Sequence, residues 1–271
     1  MFRILSKPLS SFTYSSLISQ KMYSNYIHFL LNRAKSKFEM KNLDTVNTLK
    51  DKGLIIIKNF LKEERFNKLL NEISKIDDLE EIHGEGFNFR KRQLSHFLPE
   101  LFPEFNKMNE IIKEFYSFKY IPTPSINLQI NECNEKISYD IKNTSENLHS
   151  DRIYSCLKYF FYLNDVGEFD FPLSICEGTS SSKMKIEFYE DALKNFKRDP
   201  GYFPFTDELK RKYDIPDPKK MCFPKNTLII ADTSALHKRG DFKIGSKRIL
   251  IQGNYQNAIS YKTILKNFLL G

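Results

Sequence analysis

Apolar and polar positions change their spacing near residue 123, and the two spacings predict two kinds of structure. Residues 54–57 form a continuous apolar run after Gly53, which predicts a buried strand. Further on, apolar residues recur three or four positions apart, which lays one apolar stripe along a helix. This spacing predicts helices around 63–76 and 106–118, with stripes formed by Phe66, Leu69, Leu70, Ile73 and Ile76, and by Met108, Ile111, Ile112 and Phe115.

Beyond residue 123 the chain contains short runs rich in β-branched and aromatic residues, each bounded by Asn, Asp, Gly or Pro. A charged, Pro-punctuated stretch at 186–221, with a helical start at 186–196, predicts an insertion or lid between two of these strands. Helices followed by strands favour an antiparallel β sandwich or barrel with flanking helices. The five predicted strands cover residues 125–130, 155–163, 171–175, 227–231 and 248–255.

The domain organisation follows from these patterns and from the composition of the first residues. Residues 1–38 contain eight Ser, several basic residues and no acid, a composition typical of a mitochondrial transit peptide. We favour the other interpretation, an ordinary N-terminal arm with a helix. We therefore expect an arm over 1–42 and one domain over 43–271, with the insertion near 183–225. The expected location is cytoplasmic, with a mitochondrial location as the alternative.

The net charge, the basic groups, the apolar runs and the cysteines indicate which binding partners and which cysteine chemistry to expect. The formal net charge of +8 is compatible with an anionic partner or with a Lys-rich solvated surface. The densest basic groups, 90–92 and 210–212, match no nucleic-acid motif, so we expect no nucleic-acid partner. No apolar run approaches the roughly 18–20 residues that span a bilayer. The four cysteines have no zinc-site spacing and predict buried, reduced thiols.

One short polar stretch carries candidate chemistry, because His149 and Asp151 are separated by a single serine. In an extended segment residues i and i+2 point to the same side, so both side chains could reach one metal ion. By itself such a pair is as easily an accident of a polar loop. However, His237 follows a buried-looking strand 86 residues later. Two histidines and one carboxylate form the facial triad of non-haem Fe(II) oxygenases.

Other residues near these three are candidates for binding a co-substrate. Arg248 begins a predicted strand, and its planar guanidinium could hold the distal carboxylate of 2-oxoglutarate by two hydrogen bonds. Lys158 lies within an apolar strand and could reach the co-substrate, or it could extend from a sheet edge into water. Asn127 and Gln129 alternate along one strand; they could line the pocket or be ordinary polar residues of a sheet face.

The residues described above resemble the phytanoyl-CoA dioxygenase-like family of Fe(II)/2-oxoglutarate-dependent oxygenases. The resemblance covers roughly residues 48–256 and includes DKGLIIIKNFLKEERFNKL, LHSDRIYSCLKYFFYLNDV, FPLSICEGTSSSK and NTLIIADTSALHKRGD. It implies a mainly β fold with flanking helices, a double-stranded β-helix (jelly roll, cupin-like). It also implies that His149, Asp151 and His237 bind iron and that Arg248 binds 2-oxoglutarate. The chain departs from the family pattern at 178–180 and at 225–226.

The resemblance further implies a reaction. A small organic substrate would be hydroxylated by dioxygen, with release of succinate and carbon dioxide, and ascorbate would serve as an auxiliary reductant. Halogenating relatives lack the carboxylate that Asp151 supplies, so we expect hydroxylation, or a related desaturation or ring closure. Lys and Arg residues in 183–225 suggest an anionic substrate. The alternatives are a non-catalytic jelly-roll binding protein and an oxygenase that acts on a macromolecule. The sequence leaves the oligomeric state open.

Overall fold

The computed structural model of the chain describes residues 41–82, 87–94, 98, 102–134, 148–151, 155–180, 203–204 and 207–270. The predictions made for the first 38 residues and for a helix at 186–196 lie outside these residues. Two antiparallel sheets make up most of the described part of the chain.

The larger sheet has seven strands in the order β1-β10-β6-β12-β4-β3-β2, and every neighbouring pair is antiparallel. The strands predicted from apolar runs at 54–57, 125–130, 155–163, 227–231 and 248–255 all belong to it. Its members are β1 (Leu54–Ile57), β2 (Glu80–Ile82), β3 (Asn88–Gln93), β4 (Ser125–Glu132), β6 (Leu157–Tyr162), β10 (Thr227–Asp232) and β12 (Lys247–Asn254).

The smaller sheet has five short strands in the order β8-β5-β11-β7-β9. Two of them come from the predicted insertion, where β8 pairs with β5 and β9 pairs with β7. The described part of the insertion therefore extends the smaller sheet. The strands are β5 (His149–Ser150), β7 (Leu173–Ile175), β8 (Phe203–Pro204), β9 (Lys219–Lys220) and β11 (His237–Arg239).

The predicted helices at 63–76 and 106–118 are confirmed as α2 and α3, with a 3₁₀ turn at Pro103–Asn106 before α3. Each turns its apolar stripe toward the core, as the spacing of three and four residues requires. Leu70, Ile76 and Phe115 are partly buried, and the other residues of the two stripes are buried. Among the described residues no helix is both long and apolar enough to cross a membrane. The helices are α1 (Leu43–Lys52), α2 (Glu63–Ser74), α3 (Lys107–Tyr116), α4 (Asp207–Lys212) and α5 (Tyr261–Leu270).

Strand β6 packs against the helices on one side of the larger sheet and against the smaller sheet on the other. Its side chains alternate between two faces, and both faces are covered. Tyr159 and Phe161 join the apolar core that the larger sheet shares with the helices. Phe160 and Tyr162 join a second core with residues of the smaller sheet, such as Ile175. Because both faces are buried, β6 is nearly continuous in apolar residues, which is why the sequence pattern revealed it.

We call the face of the larger sheet that contacts the smaller sheet the inner face. The cross-strand register assigns alternate residues of each strand to it. Lys158 shares this face with Phe160 on β6, and its neighbour across β10 is Ala231. Arg248, Leu250, Gln252 and Asn254 share it on β12, opposite Asn131, Gln129, Asn127 and Ser125 of β4. Polar residues therefore lie side by side between the two sheets.

Asn226, at a position where the chain departs from the family pattern, precedes β10 with a positive φ of 63°. Asparagine tolerates this left-handed conformation better than most residues. Its side chain bonds to the backbone of Leu61: Nδ2 donates to the carbonyl at 2.8 Å, and Oδ1 accepts from the amide at 3.0 Å. Asn226 thus joins the start of β10 to the loop before α2.

We expect Asn226→Ala to lower the free energy of unfolding by about 3 kcal/mol. The substitution leaves a buried N–H and C=O of Leu61 without partners and puts a Cβ-bearing apolar residue in a left-handed conformation. Asn226→Gly removes the same hydrogen bonds without the conformational strain and should recover about 1 kcal/mol. Urea unfolding of the three proteins measures both differences. Two variants of equal stability would show that the backbone conformation contributes nothing.

Candidate metal centre

His149 and His237 are brought together by the smaller sheet. Strand β5 pairs with β11 so that the two histidines are directly opposite each other. Their ring centroids are 4.4 Å apart, and both residues are buried. Asp151 follows β5, and its backbone N–H donates to the Thr233 carbonyl at 3.0 Å. That bond fixes the backbone of Asp151 beside the loop that leads to His237.

The three side chains converge on one point. Asp151 Oδ1 lies 3.9 Å from His149 Nε2, and Asp151 Oδ2 lies 3.8 Å from His237 Nε2. One donor atom from each residue lies within 4.8 Å of the other two. Nitrogen and oxygen ligands lie about 2.0–2.2 Å from a transition metal. Donor atoms at these separations need only a small inward movement to surround one ion.

The protonation state of His237 suits metal binding. Its Nδ1 lies 2.9 Å from the Ala235 carbonyl, which can only accept, so Nδ1 carries the hydrogen. The lone pair is then on Nε2, the nitrogen that faces Asp151. Burial, with a smaller effect of the Lys158 ammonium, lowers the pKa of His237. The imidazole is therefore neutral at neutral pH and can donate electrons to a metal.

Lys158 forms an ion pair with Asp151, and its Nζ donates to Asp151 Oδ2 at 2.5 Å. The alternative that placed Lys158 on a sheet edge is wrong, because β6 lies between β10 and β12 in the larger sheet. Burial opposes ionisation of Asp151, but the Lys158 ammonium, with smaller effects of the two histidines, outweighs it and lowers the pKa of Asp151 well below its usual value. The carboxylate stays ionised at any physiological pH.

Arg248 lies on the inner face and is only 7% exposed. Its Nη1 donates to the Phe171 carbonyl, while its Nε has no hydrogen-bond partner in the described part of the chain. No carboxylate of the described residues lies within ion-pair distance of it. Burial, with the nearby Arg239, lowers the pKa of Arg248 to about 10, so it remains a cation at neutral pH. This buried positive charge therefore has no counter-ion among the residues that the structure describes.

Asn127 and Gln129 lie on the inner face with Lys158 and Arg248. Gln129 Nε2 donates to Gln252 Oε1 at 2.8 Å, and Asn127 Nδ2 donates to Ser125 Oγ at 3.4 Å. Gln252, Asn131 and Asn254 also belong to this face, and none of them was predicted as a site residue. Their signal was an even spacing, because Asn131 follows Gln129 by two residues along β4, and Gln252 and Asn254 follow Arg248 by four and six residues along β12.

The fold is that of known jelly-roll enzymes. No protein-family model matches the chain, and no curated protein matches it. The epimerase SnoN, solved with Fe3+, alpha-ketoglutarate and nogalamycin RO, is 10% identical with a TM-score of 0.54, over 78% of this chain and 82% of its own. The carbocyclase SnoK from nogalamycin biosynthesis, described as non-heme and alpha-ketoglutarate dependent, is 14% identical with a TM-score of 0.52, over 81% and 86%.

At these identities the similarity concerns the fold, and it confirms the predicted class. The chain is mainly β with flanking helices, and its two antiparallel sheets form a double-stranded β-helix. Roles of individual residues must be argued from the site itself, because one fold supports many chemistries.

We expect Lys158→Met to lower the free energy of unfolding of the metal-free protein by about 2–3 kcal/mol at pH 7. The substitution leaves the Asp151 carboxylate without its closest cation; a fully buried pair would lose somewhat more. The pKa of Asp151 is lowered in the folded state, so its stabilising effect is complete above about pH 4 to 5 and is lost as the pH falls further. The difference between the two proteins should therefore be constant from pH 7 to about pH 5 and shrink as the pH falls below about 4.

Urea unfolding with a chelator present measures this difference at each pH. Lys91→Met is the matched control, because Lys91 lies on the neighbouring strand β3 opposite Gln129 and forms no ion pair with the described residues. Its stability difference should be small and independent of pH. A pH-independent loss in Lys158→Met would show that the lysine acts by packing and not by charge.

Proposed function

We propose that this chain is an Fe(II)- and 2-oxoglutarate-dependent oxygenase that hydroxylates a small organic molecule. The observation that carries the proposal is the convergence of His149, Asp151 and His237 on one point between buried strands. Two histidines and one carboxylate with open positions are the ligand set of non-haem Fe(II) oxygenases. Sites of pure sulfur or pure oxygen donors would favour other metals.

Arg248 supports 2-oxoglutarate as the co-substrate. A buried cation without a counter-ion is costly, and a bound carboxylate would remove that cost. The unpartnered Nε of Arg248 is a donor that such a carboxylate could accept from. Arg248 would hold the distal carboxylate, while the other end of the oxo acid would lie at the metal. When bound, iron and the oxo acid would supply dioxygen activation, with release of succinate and carbon dioxide.

The protein's own residues would orient these groups and exclude water. Lys158 fixes the Asp151 carboxylate by one of its oxygens. Gln129 and Gln252 hold each other across β4 and β12, so their amides have defined directions. Leu250 is fully buried next to them and presents no polar group. This part of the inner face is therefore partly apolar, and its polar side chains have fixed directions. Both properties would favour an ordered co-substrate.

Within this class we propose membership of the phytanoyl-CoA dioxygenase-like family and a hydroxylation outcome. The order His149, Asp151, His237 and Arg248 along the chain supports the family. Asp151 supports hydroxylation, because a halide ion needs the coordination position that the carboxylate would take. Desaturation and ring closure use the same ligand set and are the alternative outcomes.

A small anionic molecule is the proposed substrate class. Arg239 lies close enough to Arg248 to lower its pKa, so two guanidinium groups lie near the same end of the inner face. Together with the Lys and Arg residues of 183–225, these cations would make the local potential positive and attract an anionic substrate. Phe87 contacts Arg239 with its ring 4.5 Å from the guanidinium carbon and adds an apolar wall.

We expect the anaerobic protein to develop a weak visible metal-to-ligand charge-transfer band when Fe(II), 2-oxoglutarate and ascorbate are added. The band requires the oxo acid to chelate iron in the site. His149→Ala and Asp151→Ala should lose it, since each removes a ligand. Asp44→Ala, which truncates an exposed carboxylate of α1, is the matched control and should keep the full band. A wild-type protein without the band, or an Asp151→Ala variant with an undiminished one, would refute the iron site.

A screen for succinate release should identify the substrate class. We expect small carboxylates or phosphates to accelerate succinate formation, and neutral compounds of similar size to have a weaker effect. Acceleration that depends on added protein or nucleic acid would instead support the macromolecular alternative. A charge-transfer band without succinate release under any condition would support a non-catalytic binding protein.

A further inference from the structure

Asn131 has an unusual environment on the inner face of the larger sheet. It is 1% exposed, and neither Oδ1 nor Nδ2 has a hydrogen-bond partner within the described part of the chain. Buried side-chain amides are nearly always hydrogen-bonded, because the desolvated amide otherwise loses its bonds to water. A native protein that retains such an amide needs a reason, and an absent ligand is one.

The position of Asn131 suggests which ligand. It lies directly opposite Arg248 in the register of β4 and β12, and opposite Phe89 in the register of β4 and β3. Directly opposite residues have Cβ atoms about 4.5–5.5 Å apart and share one face of the sheet. The Nε of Arg248 is also without a partner. Two buried donors without partners, one charged and one neutral, therefore lie next to each other.

The other polar neighbours of Arg248 are already engaged. Tyr162 donates its hydroxyl to the Met221 carbonyl at 3.1 Å. Gln129 is bonded to Gln252. Leu250, the next inner-face residue after Arg248, has no polar group. Among these neighbours, Asn131 is the one whose amide remains available to a ligand of Arg248.

Besides the Tyr159 hydroxyl, which lies on the opposite face of the larger sheet, two further buried hydroxyls without partners are less suitable. Thr227 lies on β10, which is separated from β12 by β6. Ser174 lies opposite Lys238, whose side chain points to the other face of the smaller sheet from His237 and Arg239. Neither hydroxyl is placed next to the guanidinium of Arg248.

We propose that Asn131 is a second binding residue for the distal carboxylate of the 2-oxo acid, acting beside Arg248. This inference rests on the proposed function, because it needs a dicarboxylate co-substrate in the site. Arg248 supplies charge, and the Asn131 Nδ2 donates to the carboxylate as a neutral hydrogen-bond donor. The pair distinguishes a dicarboxylic oxo acid from one that ends in a methyl group, since only the former satisfies both buried donors.

The test compares two ligands in Ni(II)-loaded full-length protein by calorimetric titration. 2-Oxoglutarate has the distal carboxylate, and 2-oxopentanoate has a methyl group in its place. Asn131→Leu keeps the branching and the number of side-chain heavy atoms but has no donor. We expect it to weaken 2-oxoglutarate binding about tenfold, the effect of about one hydrogen bond to a charged group, and to leave 2-oxopentanoate binding unchanged. Asn134→Leu, beyond the end of β4 and exposed, is the matched control and should change neither affinity.

Asn131→Asp provides a second, opposite readout. Its carboxylate would lie against Arg248 and act as an internal counter-ion, which none of the described wild-type residues supplies. We expect its ligand-free melting temperature to rise and its 2-oxoglutarate affinity to fall at least a hundredfold, because the new carboxylate occupies the place of the ligand's. A role in packing alone would predict a lower melting temperature, since a buried charge would be introduced.

The outcomes separate this inference from the function on which it rests. Wild-type protein without saturable, metal-dependent binding of 2-oxoglutarate would overturn both. Wild-type binding together with unchanged 2-oxoglutarate affinity in Asn131→Leu would overturn only the role of Asn131. Equal weakening of both oxo acids would also overturn it, because the loss would then be independent of the distal carboxylate.

Discussion

The antiparallel pairing of β5 with β11 is the contact on which the candidate centre depends. It places His149 opposite His237 although the two residues are far apart in sequence, and it sets the side of the sheet that both rings share. Asp151 then needs only its spacing of two residues and one backbone bond to Thr233 to reach the same point. A shift of one residue in this register would turn one imidazole to the opposite face, because side chains alternate along a strand.

Two cations of the larger sheet, Lys158 and Arg248, differ in how their charges are balanced. Lys158 and Arg248 are both cations on central strands, where a charge needs a partner. Lys158 has one within the protein, since it is bonded to Asp151. Arg248 bonds to the Phe171 carbonyl and has no carboxylate within ion-pair distance among the described residues. Among the described residues, one end of the inner face is therefore balanced internally, and the charge at the other end is the one that the proposed co-substrate would neutralise.

The strands with continuous apolar runs and the helices α2 and α3 were predictable, because burial dictates their residue types. Strand β3 was not, since its NFRKRQ sequence is only partly buried and reads as a charged loop. Strands β5 and β11 have two and three residues, too few for any periodicity. The candidate donors could be named from residue type and order, but the Lys158–Asp151 bond and the isolation of Asn131 depend on cross-strand register. Register arises from contacts between distant segments, which spacing along one segment does not contain.

The brevity of β5 has a consequence for the durability of the fold. A two-residue strand contributes few backbone hydrogen bonds, so the smaller sheet is weakly joined at this point. An ion held by Asp151 and His237 would close a loop of 86 residues, much as a covalent cross-link restricts an unfolded chain. The ion would stabilise the smaller sheet mainly at the short strand β5. Removing the ion would remove this stabilisation. Resistance to proteases would then follow the supply of metal in the surroundings, so the lifetime of the protein and its capacity for chemistry would rise and fall together.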